Sequence, residues 1–394
     1  MNSNLIKNVK TLGNEILSDI IRWRRELHKT PELRMDTPKT EALIIEFLRE
    51  IGVSDIRKGV GGHGVIAVIK GDLPGKCLAI RADCDGLPIK EETGLSFASQ
   101  NGNMHACGHD SHTAMALGAC KLLIKNRHLL KGTVKFIFQP YEEGAGGAKL
   151  MISDGALKNP SVDAIIGLHN HCDPDSDYLV GDVLVAKEPI SANILAYEAT
   201  FYGTTSHICL SNTAKNAVYM ACDAVTKIAQ MQKGNNHIIN AVSMVHGGVR
   251  NNIIPETCTI CGSIRAFDKI VQAKTKEQVF SIINDSALLA GGTVDIKIDY
   301  EVPATEINED IYNSFCSIVN AVYPERKCVT LKNRDLIGED FAEFSSIVPG
   351  LYFKLHTIPK DTCYPLHHPK FDVNESVLHK GSIVFATFAL LWQN

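Results

Sequence analysis

The sequence predicts an α/β protein with a mainly parallel sheet, into which a ferredoxin-like α+β domain is inserted. Over roughly the first 185 residues, short apolar strands alternate with helical patterns, as in a parallel α/β sheet. From about residue 190 the order changes to βαββαβ, and after Pro303 the helix and short-strand pattern returns. We therefore divide the chain into a discontinuous parent domain, residues 1–188 and 303–394, and an inserted domain, residues 189–302.

Length and composition limit the possible classes of protein. A chain of 394 residues exceeds one typical hydrophobic core, and 45% apolar with 21% charged residues is ordinary globular composition. The formal charge of −4 includes no basic block, so we expect no nucleic-acid partner. No secretory signal or apolar stretch of about 20 residues occurs, which predicts a cytoplasmic protein without a membrane segment. Most of the 12 cysteines are expected to be small buried hydrophobic residues.

The first part of the chain contains the strands that would form the parent sheet. Short apolar runs predict buried parallel strands at 65–69, 77–82, 133–138 and 164–168. A helix is expected over 111–125, directly behind a polar cluster.

The inserted domain follows as strands around 195–201, 239–245, 258–266 and 294–300, with helices through 217–228 and 279–289. After it come a strand at 351–355 and a final apolar helix at about 375–392.

The densest polar cluster is HACGHDSH, residues 105–112, with three imidazoles, one thiol and one carboxylate. Other polar residues follow the predicted strands: Asp83, Asp85, Glu142, Glu143 and His169. Ligands of an open α/β sheet bind at the carboxyl ends of its strands. We therefore expect these groups to meet at one edge of the sheet.

Thiolate, imidazole and carboxylate together suit zinc, with manganese, nickel and cobalt as further possibilities. A thiolate can bridge two ions, and of two adjacent glutamates one can bind metal while the other accepts a proton. Two alternatives remain at this point. The cluster could be a helix cap formed by Asp110 or Ser111, or Cys107 could be a nucleophile with His105 or His109 as its base. No serine-hydrolase elbow, Walker A loop or dinucleotide fingerprint occurs.

Nine segments carry a family resemblance: RRELHKTPEL, RADCDGLPI, HACGHDSHTAMALGA, FQPYEEGAGGAKLM, GLHNH, NNIIP, SIRAF, GEDFAEF and LHHPKFD. In this order they resemble the amidohydrolase branch of the M20 peptidase family. That branch includes hippurate hydrolases, aminoacylases, N-acetyl-diaminopimelate deacetylases and indole-acetyl-amino acid hydrolases. The resemblance covers residues 20–380 and implies a metal-dependent exopeptidase-type catalytic domain with an inserted lid and dimerisation domain.

The resemblance also implies a set of site residues. It implies two divalent ions per subunit, zinc, manganese, nickel or cobalt, bound by Cys107, His109, Glu143, His169 and His367, with the Cys107 thiolate bridging them. Glu142 would be the general base, and Asp83 and Asp85 would support the ligands from behind. The motif spacing selects His367 rather than His368.

In the lid, the resemblance assigns substrate contacts to Asn252 and Arg265, and a catalytic role to His207. A lid histidine of this family commonly stabilises the oxyanion in the neighbouring subunit, which implies a homodimer. The chain departs from the family pattern at Tyr141, at residues 204–206 (Thr-Thr-Ser) and at Gly338. These departures leave the acyl group and the amino acid undetermined.

The expected function is hydrolysis of N-acyl amino acids, such as hippurate or N-acetyl compounds, by metal-activated water with a glutamate base. A metallo-dipeptidase or carboxypeptidase on the same scaffold is the alternative, and a non-catalytic metal-dependent binding protein is a third.

Overall fold

The computed structural model describes residues 3–173, 177–231, 238–358 and 364–393. The chain folds into two compact units. The first unit comprises Met1–Glu188, Glu306–Asn333 and Glu343–Asn394, and the second comprises Pro189–Thr305 and Arg334–Ala342. The second unit is therefore wider than the predicted insert by residues 303–305 and 334–342.

The first unit is built on an eight-stranded sheet with the order β1-β2-β4-β3-β5-β14-β6-β13. Its strands are β1 Asp55–Val60, β2 Gly64–Lys70, β3 Leu73–Asp83, β4 Lys131–Gln139, β5 Ala164–His171, β6 Val183–Val185, β13 Val329–Thr330 and β14 Gly350–His356. The central strands β4, β3, β5 and β14 run parallel, which confirms the predicted mainly parallel core of the sheet.

One strand direction was predicted wrongly. β2 is antiparallel to both of its neighbours, β1 and β4, although its apolar sequence is that of a buried parallel strand. The run Gly64–Ile69 is buried or nearly so, and burial of both sheet faces gives the same continuous apolar sequence in either direction.

Helices cover this sheet. The helices of the first unit are α1 Ser3–Glu15, α2 Leu17–His28, α3 Pro38–Ile51, α4 His109–Lys125, α5 Gly147–Ser153, α8 Glu309–Val322 and α10 Leu378–Leu391, and α9 Phe341–Ser345 begins within the second unit. α4 is buried over nearly its whole length and packs against α2 and α10. It begins two residues before its predicted start, at His109, so residues of the HACGHDSH cluster lie on its first turn.

The second unit has the predicted ferredoxin-like order. Its four-stranded antiparallel sheet has the order β12-β7-β11-β9, and a two-stranded ribbon joins β8 to β10. Its elements are β7 Asn193–Tyr202, β8 Ser206–His207, α6 Ala217–Met231, β9 Ile238–Gly247, β10 Ile253–Ile254, β11 Thr257–Ala266, α7 Lys269–Leu289 and β12 Thr293–Val302. α6 and α7 pack on the sheet and enclose a separate apolar core.

The cysteines are more varied than the sequence suggested. Cys77 and Cys120 are buried as expected, but Cys222 is exposed and Cys261 is half-buried. Cys172 is disulfide-bonded. Among the described residues, no helix is both long enough and apolar enough to cross a membrane.

Candidate metal centre

Three neighbouring parallel strands bring polar side chains to one edge of the sheet. β3 ends at Asp83, which lies opposite Gln139 at the end of β4. β5 runs parallel to β3 on its other side and carries His169. Cys107 and His109 enter from the first turn of α4 and the loop before it. The candidate ligand atoms therefore meet at the edge of the sheet that was predicted from the strand ends.

Two groups of potential ligand atoms share the Cys107 thiol. One contains Cys107, His109 and His169, and the other contains Cys107, Glu143 and His367. Within each group all ligand atoms lie within 4.8 Å of one another. Cys107 Sγ lies 3.3 Å from His169 Nε2, and His367 Nε2 lies 3.4 Å from Glu143 Oε2. The five residues assigned by resemblance are thus adjacent in space, with the thiol at their centre.

Backbone carbonyls fix the orientation of two of these imidazoles. His109 Nδ1 donates to the carbonyl oxygen of Asp85 at 3.0 Å, and His169 Nδ1 donates to that of Asn170 at 2.6 Å. Each ring therefore turns its Nε2 atom toward the centre. In the described part of the chain, His109 Nε2 and Glu143 Oε1 are buried without a hydrogen-bond partner. Histidines that ligate metals are held in this way through their other nitrogen, so the donor set fits a bound cation.

His112 lies beside the site but both of its ring nitrogens are engaged. Nδ1 donates to Asp83 Oδ1 at 2.6 Å, and Nε2 accepts the backbone N–H of Asn170 at 2.9 Å. Its ring packs edge-on against His169, with the centroids 4.6 Å apart. His112 therefore supports His169 and leaves no nitrogen for a metal.

The carboxylate of Asp85 holds the loop that carries both glutamates. Oδ1 accepts the backbone N–H of Glu142 at 3.0 Å, and Oδ2 accepts that of Glu143 at 3.2 Å. Tyr141, one of the departures from the family pattern, adopts a left-handed conformation with φ 64° immediately before them. Its ring packs so closely on Gly144 that a Cβ there would overlap it. Asp85 and this packing together set the direction of the loop.

Asp83 is fully buried at the base of the site and carries a negative charge. Burial raises its pKa, but the charges of His109, His112 and Arg81 outweigh burial and hold the pKa well below its usual range. Arg81 Nη1 donates to Asp83 Oδ2 at 2.6 Å, and Arg81 Nε donates to Gln139 Oε1 at 2.8 Å. Asp83 is therefore a fixed anion behind the ligands.

The electrostatics of the centre favour a cation. Burial lowers the pKa of His109, but the charge of Asp83 and the hydrogen bond to Asp85 raise it well above its usual value, so this site attracts positive charge. Burial, followed by the charge of Glu143, raises the pKa of the Cys107 thiol. A reactive nucleophile requires the opposite shift. The raised pKa therefore disfavours the alternative in which Cys107 is a nucleophile with a histidine base. A cation bound beside Cys107 would compensate for burial and favour its thiolate form.

The structure separates the two adjacent histidines. The backbone N–H of His367 donates to Ala106 O at 2.8 Å, which ties it to the Cys107 loop, and its backbone has φ 67°. The His368 ring instead stacks on Tyr364, and its Nδ1 accepts the backbone N–H of Lys370. The His367 side chain is 51% exposed, so the centre opens to solvent on this side.

The sequence did not reveal a buried network of charged residues around Asp110 of the HACGHDSH cluster. Arg24 Nε donates to Asp110 Oδ2 at 2.9 Å, and His28 Nδ1 donates to the same oxygen at 2.8 Å. His28 Nε2 donates to Glu91 Oε1 at 3.1 Å. Asp110 therefore anchors α4 to α2 and does not cap the helix, whose N-cap residue is Gly108 without a side-chain cap. The RRELH segment carries part of the family resemblance, but its spacing alone does not reveal these partners.

The predicted lid residues all lie in the second unit. His207 is on β8, where it pairs with Ile253, and its exposed ring accepts the backbone N–H of Cys209 at Nδ1. Asn252 is exposed, and its carbonyl accepts the N–H of Ile208. Arg265 is on the half-buried face of β11, where Nη1 donates to Leu336 O at 3.1 Å.

Thr204, Thr205 and Gly338, which depart from the family pattern, each contact neighbouring residues within the second unit. Thr204 Oγ1 accepts the N–H of Lys215, and Thr205 Oγ1 donates to Ile254 O. Gly338 packs against Ile194 so closely that a Cβ would overlap it.

A mixed α/β sheet with these donors at the ends of its parallel strands defines a metal-dependent hydrolase. The chain belongs to the peptidase family M20/M25/M40, which matches residues 79–391. It is 34% identical to thermostable carboxypeptidase 1 of Saccharolobus solfataricus, over 99% of both chains. It is 32% identical to N-acetyl-L-cysteine deacetylase of Bacillus subtilis, over 95% of this chain and 91% of the relative. These relationships confirm the predicted M20 family and an amide-hydrolysing enzyme.

A solved structure agrees with this assignment. The Bacillus subtilis YXEP protein, described as a dinuclear metal binding peptidase from the M20 family, is similar with a TM-score of 0.82 and 31% identity. The match covers 96% of this chain and 99% of that chain. The predicted fold class is thereby confirmed.

Proposed function

We propose that the protein hydrolyses the amide bond of N-acyl amino acids with two divalent ions held around Cys107. The observation that carries this proposal is the pair of imidazole Nε2 atoms, on His109 and His169, that face one buried thiol. Several relatives of similar length support the acyl substrate class, since they are named N-acetylcysteine deacetylase, N-acetyldiaminopimelate deacetylase and IAA-amino acid hydrolase.

The five ligands divide between two ion positions. His109 and His169 would hold one ion, Glu143 and His367 the other, and the Cys107 thiolate would contact both. Zinc, manganese, nickel and cobalt all accept this mixture of donors. When bound, such ions polarise a substrate carbonyl and make water acidic near neutral pH.

Glu142 is the proposed general base. Its side chain is 11% exposed, and Oε2 lies 3.9 Å from His109 Nε2, so it borders the ligand cluster without being sealed from solvent. Asp85 holds the backbone from which this carboxylate extends. We propose that Glu142 accepts a proton from the attacking water and delivers it to the leaving amine.

The residues of the second unit would bind substrate. Arg265 carries a guanidinium suited to a substrate carboxylate, and we assign Asn252 to the same task. The Nδ1 atom of His207 accepts a backbone N–H, so its Nε2 carries the proton and can donate to an oxyanion.

We further propose a homodimer in which His207 serves the neighbouring subunit. β9 is an edge strand of the four-stranded sheet, and its exposed Met244 and Val245 side chains favour pairing with a second copy.

The second candidate is a carboxypeptidase or dipeptidase on the same scaffold, favoured by the two carboxypeptidase relatives from Saccharolobus. A free α-amine distinguishes its substrates from N-acyl amino acids. A preference for unblocked dipeptides would identify this second activity.

The test is a panel of N-acetyl, N-benzoyl and indole-acetyl amino acids beside unblocked dipeptides, assayed with and without a chelator. We expect hydrolysis of at least one acyl class, its loss on chelation and its return with added metal. Glu142→Gln should remove activity and retain metal, while Glu46→Gln, on the exposed face of α3, should change neither. Activity that is unaffected by chelation or by Glu142→Gln would refute the proposal.

A further inference from the structure

A pair of thiols lies in the first unit among residues that have no assigned role in hydrolysis. Cys316 is on α8, and Cys328 directly precedes β13. The two sulfur atoms are hydrogen-bonded at 3.6 Å, and both residues are half-buried. In the part of the chain that the structure describes, no second pair of cysteines has its two sulfur atoms hydrogen-bonded to each other.

The backbone around this pair is fixed by a hydrogen bond. Cys328 N–H donates to Asn320 Oδ1 at 2.7 Å, and Asn320 lies one helical turn after Cys316 on the same face of α8. Cys328 is therefore held beside Cys316 by a contact that does not involve the thiols. A disulfide requires the sulfurs to approach to about 2.05 Å, which is a side-chain adjustment when the backbones are already adjacent.

The surroundings make Cys316 the more reactive thiol. A hydrogen bond from Cys328 lowers its pKa most; burial raises it, and Tyr312 and the charge of Lys187 lower it further, so that it lies at about 7. The neighbouring Cys316 and burial raise the pKa of Cys328. At neutral pH the Cys316 sulfur is thus partly ionised while Cys328 stays a thiol, as in a nucleophile with its resolving partner.

We propose that Cys316 and Cys328 form a reversible oxidation site that a peroxide converts to a disulfide. The Cys316 thiolate attacks the peroxide oxygen, the O–O bond breaks, hydroxide leaves and a sulfenic acid forms. Cys328 then attacks the Cys316 sulfur, the S–O bond breaks, water leaves and the S–S bond forms. The proton that Cys316 lost on ionisation converts the hydroxide to water, so two thiols lose two electrons in all and hydrogen peroxide is reduced to two molecules of water.

The bond would connect α8 to the segment that leads through β13 to Arg334, where the chain passes into the second unit. It closes a short loop, residues 316–328, and leaves every proposed ligand of the metal centre unmodified. The site is therefore distinct in place and chemistry from Cys107.

Peptide mapping of the full chain tests this proposal. The protein is treated with one equivalent of hydrogen peroxide, blocked with N-ethylmaleimide and digested with trypsin. Cleavage after Lys297, Arg326, Lys327 and Lys332 places the two cysteines on separate peptides, 298–326 and 328–332. We expect these peptides to be recovered joined, and separated after reduction with dithiothreitol.

Three variants complete the experiment. Cys316→Ser and Cys328→Ser should each abolish the joined peptide, while Cys222→Ser, which removes an exposed thiol on α6, should leave it unchanged. In unoxidised protein, half-maximal alkylation of Cys316 should occur near pH 7 and move to higher pH in Cys328→Ala. Recovery of both peptides blocked by N-ethylmaleimide, or a Cys316 alkylation profile unchanged by Cys328→Ala, would overturn the proposal.

Discussion

The carboxylate of Asp85 accepts the backbone N–H of Glu142 at 3.0 Å, which connects the end of one strand to the proposed general base on another loop. The same side chain accepts the N–H of Glu143, and the backbone carbonyl of Asp85 orients His109. One residue thus positions two proposed ligands and the base. Asp85 is therefore expected to contribute more to metal binding and turnover than a buried carboxylate that holds a single group.

Asp85→Asn should therefore impair both metal binding and turnover. An amide offers one oxygen where the carboxylate offers two, and its NH₂ group would oppose a backbone N–H. We expect metal affinity to fall about 10–100-fold, with a parallel loss of kcat/KM. Asp163→Asn is the matched control, because Asp163 also accepts a backbone N–H, from Cys77, away from the metal centre. Equal effects of the two variants on metal affinity would contradict the role given to Asp85.

Gly144→Ala should disturb the glutamate loop through Tyr141. A Cβ at position 144 would overlap the Tyr141 ring, so the loop must shift. A displacement of this size near the base is expected to lower kcat by about tenfold or more. Truncation of the ring should remove the overlap, and Tyr141→Ala/Gly144→Ala should match Tyr141→Ala alone. A double variant as impaired as Gly144→Ala would show that the effect does not pass through this ring.

The buried network of α2 predicts a specific dependence of stability on pH. Burial lowers the pKa of His28, but the charge of Asp110 and hydrogen bonds to Asp110 and Glu91 outweigh burial, so the pKa is about 9. An unfolded histidine titrates at about 6.5. The stabilisation from charged His28 is therefore complete below about pH 6.5 and is lost as pH rises through about 9. We expect a loss on the order of 3 kcal/mol over that interval.

Urea unfolding at several pH values measures this loss. His28→Gln should remove that part of the pH dependence, and His128→Gln, at an exposed position, should retain it. If His28→Gln and the parent protein lose stability in parallel between pH 6.5 and 9, His28 is not charged in the folded state.

Sequence patterns predicted the parallel core, the ferredoxin-like order of the second unit and the strand ends where the candidate metal ligands lie. Short motifs identified residues that the structure brings together, because strand ends and helix starts place side chains locally. The direction of β2 could not be predicted, since a strand buried on both faces has the same apolar sequence either way. The partners of Asp110 could not be predicted either. Arg24 and His28 are more than 80 positions away in the sequence and contact Asp110 only because α2 packs on α4.

Anomalous X-ray diffraction from crystals grown with zinc tests the bridged two-ion centre most directly. We predict two zinc peaks, each about 2.3 Å from Cys107 Sγ, one beside His109 and His169 and the other beside Glu143 and His367. A single peak, or peaks that do not contact Cys107, would contradict this arrangement.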